Sequence, residues 1–277
     1  MITWDVSREI FSIPLPIIGT LTIRWYGLLF AASFLIGFQI MTKIFQKENK
    51  SEKDLNDLLW YMIIGTVVGA RLGHCLFYNP EYYLSHPLEI LKTWKGGLAS
   101  HGAAVGIGVA IYLYSKKKVG QSFYWVLDRV GITIALAGFF IRLGNLMNSE
   151  IIGKPTNVPW AFKFVKAWVK DPMTPRHPTQ LYEAISYLII FFIIYSIYNK
   201  NYKKLKDGYL FGIFLTLIFS ARFVIEFYKE NQEAFEQGML LNMGQLLSIP
   251  LILWGIYLII TKRGDKTETK KNRGKNE

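Results

Sequence analysis

Three arginines with the chemistry to bind an anion occur inside otherwise apolar stretches of the chain: Arg71, Arg142 and Arg222. Each has a polar residue three or four positions further on, namely His74, Asn145 and Glu226. Residues at this spacing share one face of a helix. An arginine at the centre of a membrane helix costs about 2.5 to 3.5 kcal/mol on insertion scales, and such residues usually face the protein interior. The spacing therefore predicts polar stripes that meet inside the protein and bind a ligand.

The side-chain types indicate what that ligand is. Several arginines with few balancing acids favour a phosphate held by forked guanidinium groups over a path for cations. The sequence has no phosphate-binding P-loop, no HExxH motif, no aspartate cluster of the kind that holds magnesium, and no Cys and His at zinc spacing. We therefore expect phosphate chemistry that uses no nucleotide, no metal and no other cofactor.

Long apolar runs must position these residues. Most of the runs approach the ~20 residues that a helix needs to cross the hydrocarbon of a bilayer. Seven candidates occur, at 26–45, 58–77, 98–114, 123–147, 181–198, 209–228 and 246–261. Because open sheets cannot exist in lipid, the runs are interpreted as helices. The sequence thus predicts an all-α integral membrane protein with seven transmembrane helices.

The basic residues indicate how these helices are oriented. The formal net charge is +12, and lysines cluster after the first, third, fifth and seventh runs. The positive-inside rule then places the N-terminus outside and the C-terminus in the cytoplasm. Because topology explains the basic excess and no nucleic-acid-binding module is recognisable, no nucleic-acid partner is expected.

The chain is predicted to form one polytopic membrane domain over residues 1–263. A proline-rich connection at about 151–178 is expected to form a small external cap. Residues 264–277 are polar and lysine-rich, which is typical of a disordered basic tail on the cytoplasmic side.

This topology places the polar residues of several separate chain stretches at one level of the membrane, towards its outer face. They are Arg24, Tyr26, Arg71, His74, His101, Arg142, Asn145, Ser149, Glu150, His177, Gln180, Glu183, Arg222 and Glu226. Only Asp128 and Arg129, near the inner end of the fourth run, depart from this pattern. A phosphate at the outer level belongs to a phospholipid, so we expect a site for a phospholipid on that side.

Simpler interpretations exist for single residues. Arg24 and Arg71 could each extend towards a membrane interface, and Glu226 could merely neutralise Arg222. His74 and the only cysteine, Cys75, are consistent with packing in the core. Glycines of the third run are typical of close helix packing; they include Gly102, Gly106 and Gly108.

A family resemblance begins in the fourth run, at Arg142-Leu-Gly-Asn-Leu-Met-Asn-Ser-Glu-Ile-Ile-Gly153. This stretch resembles the signature of the bacterial prolipoprotein diacylglyceryl transferases. Further similar stretches cover nearly the whole chain in order: Arg24-Trp-Tyr-Gly27, Gly69-Ala-Arg-Leu-Gly73, 96–102, Arg176-His-Pro-Thr-Gln-Leu-Tyr-Glu183, Arg222-Phe-Val-Ile-Glu226 and Met243-Gly-Gln245. The chain departs from the signature at Ile141, usually glycine, and at Leu146, often phenylalanine.

The resemblance implies a reaction and its partners. The diacylglyceryl group of phosphatidylglycerol passes to the thiol of the lipobox cysteine of a prolipoprotein, which forms a thioether and releases glycerol 1-phosphate in the first step of lipoprotein maturation. It also implies a multi-pass protein of the bacterial inner (cytoplasmic) membrane, with its active site towards the outer leaflet.

The resemblance associates activity with seven positions, namely Tyr26, His101, Arg142, Asn145, Gly153, Arg222 and Glu226, and residue chemistry adds Arg71, Glu150 and Gln180. His101 is expected to be the base that takes the thiol proton, while Arg142 and Arg222 form a phosphate clamp. Further residues are expected to bind or orient the substrate: Tyr26, Arg71, Asn145, Glu150, Gly153, Gln180 and Glu226. Arg71 is the third phosphate-binding arginine of this set.

Two other classes of protein remain as alternatives. A transporter of an anionic lipid could use the same arginines, but it would need a polar path that continues inward, and only Asp128 and Arg129 offer one. An intramembrane protease lacks support, because adjacent Ser100 and His101 would point apart on a helix.

Overall fold

The computed structural model describes residues 1–15, 19–93, 96–231, 236 and 238–263. They form two compact units. One consists of the described residues of Met1–Gln39 and Asp128–Glu277, and the other is Ile40–Leu127. The predicted basic tail, 264–277, lies outside the described residues.

Helices dominate the described residues. In chain order they are α1 (Trp25–Lys47), α2 (Glu52–Tyr78), α3 (Pro80–Ser85), α4 (Pro87–Ile90), α5 (Ser100–Lys117), α6 (Phe123–Met147), α7 (Thr179–Asn201), α8 (Tyr209–Ile225), which continues as a 3-10 turn over Glu226–Tyr228, and α9 (Met243–Lys262). The seven longest coincide with the seven apolar runs.

Six helices of the described chain are long and apolar enough to cross a membrane: α1, α2, α6, α7, α8 with its 3-10 turn, and α9. This confirms a mostly helical, multi-pass membrane protein. Helix α5 is not among the six. It occupies the third predicted run, but His101 near its start and Lys116 and Lys117 at its end lower its hydropathy. The third span therefore stays a prediction.

Helix α5 packs against α2 through glycines. A Cβ atom added at Gly69 would lie 2.4 Å from the Gly102 carbonyl oxygen, and one added at Gly106 would lie 2.1 Å from that of Gly65. No side chain fits at these contacts, so the two backbones touch directly. The packing role predicted for Gly102 and Gly106 is confirmed. It is wrong for Gly108, where an added Cβ would meet no atom within 4 Å.

This contrast gives a matched pair of variants. We expect Gly106→Ala to lower the free energy of unfolding by about 1 to 3 kcal/mol, because the new methyl group overpacks the contact with α2. Gly108→Ala should be neutral or slightly stabilising, since alanine is favoured over glycine in a helix. Thermal unfolding of both variants in one detergent measures the difference, and equal melting temperatures would contradict the packing.

Four short strands lie outside the long helices, and the sequence interpretation did not foresee them. Strands β2 (Glu9–Leu15) and β3 (Gly19–Arg24) pair antiparallel, whereas β1 (Ile2–Trp4) pairs in parallel with β4 (Phe162–Phe164). The expectation of helices alone holds only inside lipid, where exposed strand edges have no water to bind. Beyond the spans, water satisfies such edges.

Strand β1 ties the N-terminal segment to the predicted external cap. Its Trp4 donates a hydrogen bond from Nε1 to the Leu146 carbonyl oxygen at 3.0 Å. Trp4 also packs on a small apolar core that includes Ile152, Phe162 and Phe164. The cap thus has a hydrophobic core of its own.

Asp128 has a structural role at the start of α8. Its carboxylate is buried and accepts backbone hydrogen bonds from Gly208 (2.8 Å) and Phe211 (2.7 Å). These N–H groups have no partner within the helix itself. Asp128 also forms an ion pair with Arg129 at 3.6 Å. Asp128, which departed from the one-sided pattern of polar residues, therefore caps the N-terminus of α8 from helix α6.

Candidate active site

A chain of polar contacts starts at Arg142 on α6. Its Nε lies 2.9 Å from Oε2 of Glu183 on α7, and its Nη1 donates to Asn145 Oδ1 at 3.0 Å. Asn145 Nδ2 in turn donates to Glu150 Oε1 at 2.7 Å. The shared face predicted for Arg142 and Asn145 is confirmed, and Arg142 is held in one orientation by an acid and an amide.

Glu183 is the centre of this network. Its side chain is 0% exposed, and its other oxygen, Oε1, accepts hydrogen bonds from Lys229 Nζ at 2.9 Å and from the Tyr187 hydroxyl at 3.2 Å. Lys229 also lies 2.8 Å from Glu226 Oε2. Two buried cations and two buried carboxylates thus alternate from α6 through α7 to the end of α8.

The sequence interpretation assigned no role to Glu183 or Lys229. A signal for both was nevertheless present. Glu183 lies three residues after Gln180 on the same helix face, and Lys229 lies seven residues after Arg222. Spacing on one helix gives a shared face, but it does not show which residue of another helix the side chain meets.

Arg222 differs from Arg142 in its surroundings. Its Nε is buried and has no hydrogen-bond partner. Among the described residues no carboxylate lies within ion-pair distance of its guanidinium, and Glu226, the acid that could have neutralised it, pairs with Lys229 instead. The Arg222 charge is therefore available to a ligand.

Glu150 is held by a strained turn at the end of α6. Its neighbours Ser149 (φ 54°) and Ile151 (φ 55°) both adopt left-handed backbone conformations, which cost an L-residue roughly 1 to 2 kcal/mol. The Glu150 N–H donates to the Asn145 carbonyl at 3.1 Å, and the Glu150 carbonyl accepts from Gln180 Nε2 at 2.7 Å. Strain of this kind concentrates at functional sites, where the surroundings enforce it.

Gly153 closes this turn by a close backbone approach. Its N–H donates to the His177 carbonyl at 3.0 Å. An added Cβ would lie 2.5 Å from that carbonyl oxygen and 2.8 Å from the Tyr228 carbonyl oxygen. Only glycine fits between these two segments. Burial lowers the pKa of the nearby His177 below its ordinary value, which favours its neutral form.

Tyr26 on α1 packs directly onto the signature helix. A Cβ atom added at Gly144 would lie 2.7 Å from Cδ2 of the Tyr26 ring. Gly144 is one residue from Asn145 and two from Arg142. Glycine at position 144 therefore leaves the space that the Tyr26 ring occupies.

In the unit of residues 40–127, Arg71 is almost fully buried, with 3% of its surface exposed. It donates to four backbone carbonyls, at distances of 2.6 to 3.1 Å: those of Glu89, Ile90, Gly96 and Gly97. Four of its five N–H donors are thereby used. The structure shows Arg71 fastening the segment before α5, and its contact with a phosphate stays a prediction.

His101 lies at the start of α5 in the same unit. Its ring is exposed and borders the aromatic rings of Phe77 (centroids 5.2 Å apart) and Tyr78 (5.9 Å). The segment that Arg71 holds ends just before this helix, and the Ala99 N–H donates to the Ala70 carbonyl at 2.9 Å. The side chain of the predicted base is thus accessible. The backbone just before it is held by the Arg71 contacts and by the hydrogen bond between Ala99 and Ala70.

Among the buried polar atoms that lack a hydrogen-bond partner are Ser149 Oγ, Gln180 Oε1 and Arg222 Nε; Glu183 Oε2 and Glu226 Oε2 also lack one, but they lie in ion pairs. An unsatisfied buried polar group costs about 1 to 3 kcal/mol. A ligand that completed these hydrogen bonds would remove that cost. The described residues contain no group of three or more His, Cys, Asp or Glu that could hold a metal ion.

The fold and this network define a class: a polytopic membrane protein with a buried polar site. Comparisons with known proteins identify the family. A model of the family described as prolipoprotein diacylglyceryl transferase matches residues 13–261. The chain therefore belongs to the prolipoprotein diacylglyceryl transferase family, and the family resemblance of the sequence is confirmed.

Curated relatives cover nearly the whole chain. A protein of Chloroherpeton thalassium is 51% identical over 259 residues, 93% of each chain. One of Tolumonas auensis is 48% identical over 96% of this chain and 99% of its own. One of Porphyromonas gingivalis is 45% identical over 94% of each. All three are named phosphatidylglycerol–prolipoprotein diacylglyceryl transferase.

The buried network predicts a charge-balance effect. Glu183→Gln should lower the free energy of unfolding by about 3 kcal/mol, because two buried cations lose their shared carboxylate. That corresponds to a melting temperature lower by roughly 6 to 12 °C. The double variant Glu183→Gln/Lys229→Met should recover part of this loss, since it removes one cation as well. Additive losses in a double-mutant cycle would contradict the pairing.

The strained turn gives a second matched pair. Ile151→Gly should raise the free energy of unfolding by about 1 kcal/mol, because glycine adopts the left-handed conformation without a steric penalty. Ile152→Gly, at the adjacent buried position, should instead lower it by about 3 kcal/mol through lost packing. Melting temperatures of the two variants should therefore shift in opposite directions, and a comparable decrease in both would contradict the strain.

Proposed function

We propose that this chain transfers the diacylglyceryl group of phosphatidylglycerol to the thiol of the lipobox cysteine of prolipoproteins, releasing glycerol 1-phosphate. It is a transferase of lipoprotein biosynthesis. The observation that carries the proposal is the pair of unequal arginines: Arg142 is fixed by Glu183 and Asn145, whereas Arg222 has no carboxylate partner among the described residues. One oriented and one open guanidinium suit a phosphate that must first bind and then leave.

The reaction forms one bond and breaks another. The cysteine sulfur attacks the glyceryl carbon that carries the phosphate ester, the carbon–oxygen bond breaks, and the electron pair leaves with glycerol 1-phosphate. Leaving phosphate requires stabilisation of its charge, which preorganised arginines provide. A free thiol has a pKa of about 8.5, so a base raises the thiolate fraction at neutral pH. His101 accepts that proton.

The remaining predicted residues orient these groups. Asn145 links Arg142 to Glu150, and Gln180 fixes the Glu150 backbone. Glu226 holds Lys229, which in turn holds Glu183. Tyr26 orients the head group, Gly153 allows the close backbone approach that closes the turn, and Arg71 is the third phosphate-binding arginine of the proposal.

We also propose seven spans in a single polytopic domain, with the N-terminus outside. The pairing of β1 with β4 supports this number, because it puts residues 2–4 and 162–164 on one side of the membrane. A chain that returns to its original side has crossed an even number of times. Helices α1, α2 and α6 alone would give three crossings, and α5 supplies the fourth.

The same proposal places the site towards the outer leaflet of a bacterial inner membrane. Lysines follow the first, third, fifth and seventh spans, which supports a cytoplasmic location for those connections. The cap at 151–178 and the strands then lie outside, where exported prolipoproteins arrive. Residues 264–277 form a basic tail on the cytoplasmic side.

A transporter of an anionic lipid is the rival function. It would use Asp128 and Arg129 to continue a polar path inward, but Asp128 is occupied with the first turn of α8. This observation favours the enzyme.

Mass spectrometry tests the reaction directly. Purified protein, phosphatidylglycerol and a synthetic lipobox peptide should yield a peptide that carries a diacylglyceryl thioether, together with glycerol phosphate. Movement of phosphatidylglycerol between leaflets of a vesicle, with no thioether formed by folded protein, would instead support the transporter.

Variants of the clamp test the roles of its members. Arg142→Ala and Arg222→Ala should each lower kcat at least about 10²-fold, the scale for removing one preorganised donor. Arg→Lys at either position should recover little, because lysine keeps the charge but not the forked geometry. Cys75→Ala is the control. The Cys75 thiol is buried and the nucleophile comes from the substrate, so the Cys75→Ala variant should be about as active as the wild type. Equal losses in all three alanine variants would disprove the assignment.

A further inference from the structure

A cavity of about 580 Å³ lies beside the signature turn, and its function is not assigned by the family match. We call it the cap cavity. Three chain segments outside the long helices line most of it: the N-terminal strands with Arg8 and Arg24, the turn with Glu150, and the cap with Trp168 and Val169. Its volume lies in the range of ligand-binding cavities. These segments lie outside the helices that are long and apolar enough to cross a membrane.

The rim of the cap cavity carries both signs of charge. Arg8 donates from Nη2 to the Lys166 carbonyl at 2.8 Å and lies over the Trp168 ring, with 5.6 Å to its centroid. Arg24 lies 3.5 Å from Glu9 in an exposed ion pair. Trp168 itself is 89% exposed. A rim that alternates cations and carboxylates is poorly suited to an isolated phosphate.

The floor of the cap cavity connects to the clamp. Ser149, 4% exposed, lines the cavity and its buried Oγ has no partner. The exposed Glu150 next to it accepts from Asn145, which accepts from Arg142. Two side-chain hydrogen bonds thus separate the cavity wall from the arginine of the clamp. A ligand in this cavity would therefore lie close to Arg142 of the clamp without direct contact with its guanidinium.

We infer that the cap cavity binds the stretch of prolipoprotein that follows the lipobox cysteine, as an extended polypeptide. The inference rests on the proposed function, which brings a cysteine to the site and requires the chain after it to continue into water. An extended backbone presents N–H and C=O groups alternately, which the carboxylates and guanidinium groups of the rim match. An exposed tryptophan is a preferred anchor for a partner side chain.

Two peptide substrates test the inference. One ends directly after the cysteine, and the other continues for about six residues. Trp168→Ala and Arg8→Ala should raise KM for the long peptide by about tenfold, the effect of losing a contact worth about 1.4 kcal/mol. KM for the short peptide and KM for phosphatidylglycerol should not change. Met173→Ala, an exposed cap residue that does not line the cavity, is the matched control.

The outcomes separate this inference from the function on which it rests. Equal changes in KM for both peptides, or a change confined to phosphatidylglycerol, would overturn the inference and assign the cavity to the lipid. Absence of any thioether with wild-type protein would contradict the proposed function. In that case the inference is tested by measuring the binding of long and short peptides in which serine replaces the cysteine. If the cavity binds peptide, the long peptide should bind more tightly than the short one, and Trp168→Ala should abolish this difference.

Discussion

The cost of burying charge governs the structure around Glu183. An ion removed from water must find a partner of opposite sign with good geometry, or it destabilises the protein by several kcal/mol. Glu183 meets this requirement for Arg142 on α6 and Lys229 after α8 at once. Three chain segments are therefore tied to one carboxylate. Arg222, seven residues before Lys229, has no such partner among the described residues and retains an unbalanced charge, which the anionic substrate balances under the proposed function.

The signature segment adds backbone constraint to this electrostatic one. Two residues in left-handed conformations flank Glu150, and Gly153 passes two carbonyl oxygens at distances that admit no side chain. The resulting turn has little freedom to adjust. Hydrogen bonds from Asn145 and Gln180 then fix the side chain and the backbone of Glu150 separately. The residues of this segment therefore fix the position of the Glu150 carboxylate, in addition to ending helix α6.

Hydropathy and helical spacing predicted the long helices and the shared face of Arg142 and Asn145, because both properties belong to a single helix. Contacts between elements were not predictable in the same way. Spacing suggested that Glu226 pairs with Arg222, whereas the structure pairs it with Lys229. It also grouped Gly108 with Gly106, although only Gly106 faces α2. The strands escaped prediction because the argument against sheets applies to lipid, and the reaction itself came from the family resemblance.

The parallel pairing of β1 with β4 has a consequence for biosynthesis. Ile2–Trp4 is made before its partner Phe162–Phe164, which follows roughly 160 residues later. At about 5 to 20 residues per second, this separation means roughly ten to thirty seconds of translation. During that interval the early strand has no pairing edge, and Trp4 has no apolar core to cover. Completion of the cap is thus a late event that reports successful insertion of the helices in between. A chain that inserts one of them wrongly leaves both strands on opposite sides of the membrane, where they can never meet.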